Sequence, residues 1–336
     1  MKVLVTGGAG YIGSTIASAL EDNGHTPIIL DSLTTGTRAF IHGRHFFQGD
    51  ISDSQSLEAV FCQHPDIKAC IHCAALVVVF DSVRNPLTYY LENVVKSVRL
   101  VEGLISYGCH RIVFSSSASI YAPSGERGFE VDESSEIAPA SPYARTKWMV
   151  EQILQDTCAV SPLQAISLRY FNPIGADPGY RSGVHVRQPS HVLGKLVDVA
   201  LGKLPEFTMT GVNWPTRDGS GLRDYIHVYD LALAHVKALE RFDHVLDRAQ
   251  STFAAINLGT GRGVTVRELV AAFERVYGAK IAVREESPRP GDVAGAYSSS
   301  RRALDWLSWS AQRSIEEGIH DALEWGKRRQ AILGYP

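Results

Sequence analysis

The chain has 336 residues, enough to bury a substantial core in one large domain or in two intimate ones. Its formal net charge is −3 and its composition is that of an ordinary globular protein, so nothing points to a nucleic-acid partner or to a charged membrane surface. No apolar run approaches the length that spans a bilayer, so no membrane partner is expected.

Five cysteines, Cys62, Cys70, Cys73, Cys109 and Cys158, make an odd count. Cys70 and Cys73 have Cys-x-x-Cys spacing, but they bracket Ile71-His72 and read as small residues of a buried strand. With no signal peptide ahead of the strand-like Lys2-Val3-Leu4-Val5, a reducing, cytoplasmic location is expected. The twelve histidines are scattered in no ligating pattern, and no metal is expected.

The run Val3-Leu4-Val5-Thr6 leads at once into Gly7-Gly8-Ala9-Gly10-Tyr11-Ile12-Gly13 and then into a helical stretch through Leu20. Strand, glycine turn and helix in that order form a phosphate cradle at a helix N-terminus. Gly7 permits the tight turn, Gly10 lets the backbone approach a pyrophosphate, and Gly13 allows the helix to pack closely. A second apolar run, Ile28-Ile29-Leu30, ends in Asp31. A carboxylate there accepts both hydroxyls of an adenosine ribose and repels a 2′-phosphate, which favours NAD over NADP.

Further strands are expected at Phe46-Phe47, at Ala69 to His72, at Ile112 to Phe114 and at Ala165 to Leu168, with helical patterns at about 54–63, 86–107 and 142–158. This alternation predicts a parallel, doubly wound sheet. Asp50, Ile51, Cys73, Ala74 and Ala75 fall at strand ends beside the glycine turn, where backbone groups can hold adenine and pyrophosphate. Leu76 to Phe80 is apolar and either lines the cofactor or belongs to the core.

Ser115-Ser116-Ser117 ends a strand at the sheet edge where parallel α/β folds hold ligands. Downstream, Ser141 suits a helix N-cap and Pro142 the first helical position, so Tyr143 and Lys147 share one face of a helix running to about Cys158. A free phenol has a pKa near 10, and an ammonium one turn away favours the phenolate. The pair therefore reads as a general base, with the Ser117 hydroxyl as a relay.

From Pro173 the alternation breaks. Gly175 to Pro189 reads as a surface loop, Val192 to Leu201 as a helix, and Phe207 to Gly211 as a strand. A helix begins near Asp230, whose carboxylate is a good N-cap. Thr265-Val266-Arg267-Glu268 and Ser314-Ile315-Glu316-Glu317 are capping boxes that open further helices. Arg223 and Arg289 offer two guanidinium groups that can clamp a diphosphate.

Together, the glycine turn with Asp31, the serine run, Tyr143-x-x-x-Lys147, Arg-Tyr-Phe-Asn172-Pro and Arg223-Asp-Tyr-Ile-His-Val resemble the extended short-chain dehydrogenases/reductases, and within them the UDP-galactose (UDP-glucose) 4-epimerases. The likeness covers nearly the whole chain. It implies an α/β fold: a doubly wound Rossmann sheet with a smaller α/β C-terminal substrate-binding domain. Residues 1–172 would bind NAD and 173–336 mainly substrate, with segments near 224–240 and 253–260 returning to the first domain.

The resemblance also implies site residues. Tyr143 would be the base, Lys147 would tune it and bind the nicotinamide ribose, and Ser117 would hydrogen-bond the sugar. NAD would contact Tyr11, Ile12, Asp31, Asp50, Ile51, the loop from Cys73 to Val77, Asn93 and Phe171. The UDP-sugar would contact Asn172, Val192, Thr208 to Thr210, Arg223, Arg289 and Asp292. The chemistry would be removal of the C4 hydrogen as hydride to tightly held NAD, through a 4-keto sugar whose other face then takes the hydride back. The helices at about 86–107 and 142–158 would form a homodimer contact.

Three positions depart from the family pattern. Val77 stands where these epimerases place a lysine, His191 where they have an asparagine near the diphosphate, and Ala296 where hexose-restricted members carry a tyrosine. Tyr297 is adjacent. An alanine at 296 leaves room for an N-acetyl group. Two enzyme alternatives belong to the same family. A 4,6-dehydratase needs an Asp-Glu pair where Ala118-Ser119 stand, and a 4-keto reductase needs an exchangeable, usually phosphorylated, cofactor, which Asp31 disfavours. A non-catalytic NAD-sensing protein would have no use for the Tyr–Lys pair.

Overall fold

Successive residues of the first strand face two different cores, and this alternation sets the architecture. A computed structural model describes residues 1–122, 128–288 and 292–334. The first part of the chain runs β1 (Lys2–Thr6), α1 (Tyr11–Asp22), β2 (Thr26–Asp31), β3 (His45–Gln48), α2 (Ser54–Gln63), β4 (Ala69–His72), α3 (Val79–Arg84) and α4 (Pro86–Tyr90). It continues with α5 (Lys96–Ser106), β5 (Arg111–Ser117), β6 (Glu130–Val131), α6 (Pro142–Val160), β7 (Gln164–Tyr170) and β8 (Asn172–Ile174). The rest comprises α7 (Val192–Ala200), β9 (Phe207–Thr210), β10 (Leu222–Arg223), β11 (Tyr225–His227), α8 (Val228–Glu240), α9 (Phe242–Ala249) and β12 (Phe253–Leu258). Last come β13 (Val264–Thr265), α10 (Val266–Tyr277), β14 (Val283–Glu286), β15 (Tyr297–Ser298), α11 (Arg301–Leu307) and α12 (Ile315–Leu333).

Seven parallel strands pair in the order β12-β7-β5-β4-β1-β2-β3. Val3 and Val5 join one core with Ile16 and Leu20 of α1 and Leu231 and Leu239 of α8. Leu4 joins the other with Leu57 of α2, Leu104 of α5 and Leu154 of α6. Strands covered on both faces read as continuous apolar runs, as these do. Strand order reverses between β1 and β4, and the crevice at their C-terminal ends is where such sheets hold ligands. β12 returns to this sheet beside β7. A third core gathers Leu196 of α7, Phe207 of β9, Phe273 of α10 and Ile319 of α12.

Four details differ from the sequence reading. The helical pattern at 86–107 is interrupted by a π-helical turn at Leu91–Val95, in which Asn93 is buried. The N-cap of α8 is His227, whose Nδ1 accepts from the Tyr229 amide at 3.1 Å; the Asp230 carboxylate instead accepts from the amides of Gln312 (2.8 Å) and Arg313 (2.7 Å). Gly175 to Pro189 is no simple surface loop. It packs on α1, with Tyr11 donating to the Gly175 carbonyl at 2.7 Å and Thr15 and Ser182 hydroxyls 3.0 Å apart. Finally, Val77 to Phe80 is surface, not core: Val77 is 58% exposed.

His72 ends β4 with its ring between Thr6 Oγ1 (2.8 Å from Nδ1) and Ser97 Oγ (2.9 Å from Nε2). Ser97 donates to the Asn93 carbonyl at 2.6 Å, so Nε2 carries the ring proton and Nδ1 accepts from Thr6. Burial, helped by the Lys147 charge, pulls this imidazole down to about 3. The unfolded chain takes up that proton near pH 6.5 and the folded chain only near 3. This contribution to stability is therefore complete above about pH 6.5 and is lost as the pH falls toward 3, at about 1.4 kcal/mol per unit. Melting temperature should drop between pH 6.5 and 4, with a shallower slope in His72→Gln; equal slopes would contradict the assignment.

Candidate active site

At the end of β1 the chain turns through Gly7 with φ +70°, a region that favours glycine, and a Cβ there would lie 2.7 Å from the Ala74 amide. A Cβ on Gly13 would meet the Gly7 carbonyl at 2.3 Å. These contacts lock the N-terminus of α1 into the crevice. Gly10 is its N-cap and brings no side chain, so the amides of Tyr11, Ile12 and Gly13 open the helix without intrahelical acceptors. The cradle suits a pyrophosphate. Asp31 ends β2, with Oδ2 accepting from the Ala9 amide (2.9 Å) and Oδ1 from the Leu33 amide (2.7 Å), which leaves lone pairs for ribose hydroxyls.

Asp50 accepts from Lys96 Nζ at 2.6 Å and from Ser52. Burial pushes its carboxyl up, but these hydrogen bonds outweigh it and hold the group below the usual range. Ile51 is buried in the second core. The segment after β4 starts with Cys73, whose amide donates to the Thr6 carbonyl at 3.1 Å, and passes through Ala74 against Gly7 and then Ala75. Asn93 fixes the next turn. Its Oδ1 accepts from the Leu76 amide at 2.8 Å, and its Nδ2 donates to the Leu76 carbonyl at 2.9 Å and to Thr146 Oγ1 at 3.1 Å.

Helix α6 opens as its sequence suggests, with Pro142 in the first turn and Ser141 Oγ accepting from the Ala144 amide at 3.2 Å. Tyr143 and Lys147 are both buried on its inner face. Ser117, at the end of β5, stands beside the Tyr143 phenol, where it favours the ionised form, and its hydroxyl lies 2.9 Å from that of Ser119. The three candidate residues thus lie together where α6 meets the end of β5. Their electrostatics differ from the sequence expectation, however. Burial pushes the phenol up to about 12, with Ser117 alone opposing it. Lys147 does not relieve this, because its Nζ turns down to the Ser115 carbonyl at 2.8 Å; burial pulls the ammonium down to about 8 against the partial support of Cys73 and Glu151.

A chain of hydrogen bonds underlies Ser115. His235 Nδ1 donates to the Leu231 carbonyl at 2.9 Å, so Nε2 accepts from Ser115 Oγ at 3.1 Å, and Ser115 Oγ accepts from Cys73 Sγ at 3.1 Å.

On the other side, Phe171 is buried after β7 and Asn172 is exposed at the start of β8, where its amide donates to the Asp224 carbonyl at 2.9 Å. Arg223 donates to the carbonyls of Leu222 (2.7 Å), Ala294 (3.1 Å) and Val293 (3.2 Å). Thr208 and Thr210 share one face of β9, and Thr210 Oγ1 donates to Asp292 at 3.3 Å. His191 caps α7 just ahead of Val192, with Nδ1 accepting from the Gly194 amide at 3.2 Å. Arg289 lies outside the described residues. Ala296 packs with Phe171, Tyr121 and Ile120, whereas the Tyr297 ring lies against Gly263, so it is residue 296 that faces the Phe171 cluster.

The family model for the NAD dependent epimerase/dehydratase family matches residues 3–259. The chain belongs to this family. It is 39% identical to the UDP-glucose 4-epimerase of Bacillus subtilis over 97% of its own length and 96% of the relative's. Its fold matches the crystal structure of a UDP-glucose-4-epimerase from Stenotrophomonas maltophila with bound NAD and formylated UDP-arabinopyranose, with TM-score 0.92, 37% identity and coverage of 98% and 99% of the two chains. A UDP-glucose 4-epimerase from Bifidobacterium longum, in complex with NAD+ and UDP, matches with TM-score 0.90 at 31% identity over 98% of each chain.

Membership of an NAD-dependent family agrees with the cradle at Gly7 and Gly13 and with the carboxylate at Asp31. Two supporting residues escaped the sequence reading. Asp224 is buried and accepts from Thr260 N (2.8 Å), Thr260 Oγ1 (2.6 Å), Ser298 N (3.1 Å) and Gly261 N (3.2 Å), so it ties together the segments that carry Arg223 and Ala296. Tyr225, two residues from Arg223 along the chain, has a buried hydroxyl without a hydrogen-bond partner among the described residues. Both lie in the phrase Arg-Asp-Tyr, whose alternation was the available signal. Among the described residues no three metal-ligating side chains cluster, and no helix is long and apolar enough to cross a membrane.

Proposed function

We propose that the chain inverts C4 of a UDP-sugar of the UDP-glucose/UDP-galactose type, with NAD held in the crevice beside Gly7 and Asp31. The observation that carries this reading is the convergence of Ser117, Tyr143 and Lys147 next to that crevice. When bound, NAD supplies a hydride acceptor and donor and a positive charge that favours the phenolate. A sugar C4 hydrogen has no neighbouring carbonyl to acidify it and cannot leave as a proton. Tyr143 takes the proton of the C4 hydroxyl, Ser117 hydrogen-bonds the same oxygen, and the product of this half is a 4-keto sugar. Tyr143 then returns the proton once the opposite face of the sugar is presented. Lys147 holds the nicotinamide ribose.

In this reading residues 1–172 hold NAD through the amides of Tyr11 to Gly13, Asp31, Asp50, Ile51, the Cys73–Val77 loop, Asn93 and Phe171. Residues 173–336 mainly hold substrate, apart from the segments near 224–240 and 253–260. Arg223 and Arg289 take the diphosphate, with the orphan hydroxyl of Tyr225 as a further donor, and Asn172, His191, Val192, Thr208, Thr210 and Asp292 complete the nucleotide site. The protein acts in the cytoplasm as a homodimer. Supporting the dimer, Leu87, Leu91 and Val95 are exposed at i, i+4 spacing on segments that pack against α6, whose Met149 is exposed too. Sedimentation should give twice the chain mass, and a Leu87→Glu/Leu91→Glu variant the single mass.

Purified protein without added cofactor should convert UDP-glucose to its galacto epimer, read at the C4 proton by NMR. UDP-N-acetylglucosamine and UDP-glucuronic acid serve as comparison substrates. If all three stay unchanged even with NAD supplied, the reading fails. Ala296 leaves space beside Phe171 for an N-acetyl group. Ala296→Tyr should therefore lower kcat/KM for UDP-N-acetylglucosamine by about 10–100-fold while changing that for UDP-glucose by less than about threefold. Equal losses on both sugars would remove residue 296 from the pocket.

A further inference from the structure

One carboxylate lies directly beneath these residues and takes no part in the chemistry proposed above. Glu151 follows Lys147 by one helical turn, so Tyr143, Lys147 and Glu151 form a ladder on the face of α6 that meets the sheet. Its side chain is completely buried. It accepts from the Ser116 hydroxyl and from Arg169, whose Nε lies 3.1 Å from both carboxylate oxygens and whose terminal nitrogen lies 2.6 Å from Oε2. Arg169 is the register partner of Ser116 across β5 and β7. Its other terminal nitrogen donates to the Tyr121 hydroxyl at 3.1 Å, which in turn donates to Asn257 on β12 at 2.6 Å.

The neighbours of Ser116 give this arrangement its meaning. Ser115 supplies the carbonyl that holds Lys147, and Ser117 stands beside the Tyr143 phenol. A buried ion pair is a poor source of net stability, because desolvating two charges offsets their attraction, and apolar residues of similar volume often serve as well. Apolar residues, however, supply no directional hydrogen bond between the helix and the strand end. We propose that Glu151 is a positioning residue: held by Arg169 and Ser116, it sets the placement of Tyr143 and Lys147 on α6 against Ser115 and Ser117 on β5. The proposal rests on the assignment of Tyr143, Lys147 and Ser117 as the reacting set.

The test uses the full-length protein. Glu151→Gln strands the Arg169 charge, so the informative variant is the double Glu151→Met/Arg169→Met. We expect it to melt within a few degrees of the parent, with KM for UDP-glucose changed less than twofold and kcat lowered at least tenfold. Amide exchange at residues 115–117 and 143–147 should quicken at least tenfold. Ser116→Ala, which removes only the hydroxyl between helix and strand, should melt like the parent with kcat three- to tenfold lower. A double variant with parental melting, kcat and exchange overturns the proposal. If the double variant does not fold, Ser116→Ala with parental kcat and exchange overturns it. A parent that epimerises no UDP-sugar defeats the assigned reaction, and the exchange rates then decide the positioning role alone.

Discussion

Tyr143→Phe should lower kcat by about 10²–10⁴-fold, the range expected when a positioned general acid–base is removed. The ring is buried at the start of α6 and its packing survives the change, since only the hydroxyl is lost. Ser117 keeps its contact with Ser119, so no buried donor is stranded. Cofactor content, read from the absorbance of the purified protein, should stay at the parental level, and melting should shift by no more than a few degrees. Loss of activity with cofactor and fold intact identifies a group that acts on the reacting atoms. A variant within tenfold of the parent would mean that another group carries the proton, and Tyr143 would lose its role.

The second large effect is expected at Gly7. Alanine there faces two penalties, a backbone at φ +70° and a Cβ 2.7 Å from the Ala74 amide and 2.8 Å from its Cα. The conformational strain alone is about 1–3 kcal/mol. Relief requires β1 and the segment after β4 to move apart, and those segments form the walls of the crevice. A collision cost of the same order, about 1–3 kcal/mol, taken wholly from cofactor binding lowers affinity about 5–150-fold. Gly7→Ala should therefore purify with little NAD and melt at lower temperature. Gly108→Ala is the control: its φ is +71°, but a Cβ there meets nothing within 4 Å. It carries the strain without the collision and should keep its cofactor. Equal cofactor loss in both would show that the close approach at Gly7 plays no part.

The cofactor end of the site was legible because local sequence determines it. A strand, a glycine turn and a helix in immediate succession leave few geometries, and Asp31 lies one strand away. The Tyr143–Lys147 pair was legible for the same reason, being two side chains of one helix with its cap and proline in view. What escaped depended on partners distant in sequence. Helical spacing alone makes Lys147 the group that tunes the phenol, yet the Ser115 carbonyl, 32 residues earlier, draws its ammonium aside. Asp230 has the chemistry of a cap, but the amides of Gln312 and Arg313 claim its carboxylate. The apolar run at 77–80 gave no sign of which way it faced, because three adjacent valines carry neither helical nor strand periodicity. Glu151 could have been found by extending the ladder from Lys147 one turn further. Its purpose could not, since Arg169 and Ser116 lie on two different strands.

The central claim is that hydrogen leaves C4 as hydride. Epimerisation of UDP-glucose in D₂O, followed by NMR at C4 of the product, tests this directly. Transfer as hydride within a closed pocket predicts a galacto-configured product that keeps protium at C4 through many turnovers. Deuterium at C4 would show removal as a proton and exchange with solvent, and would contradict both Tyr143 as the base for the C4 hydroxyl and NAD as the hydride acceptor.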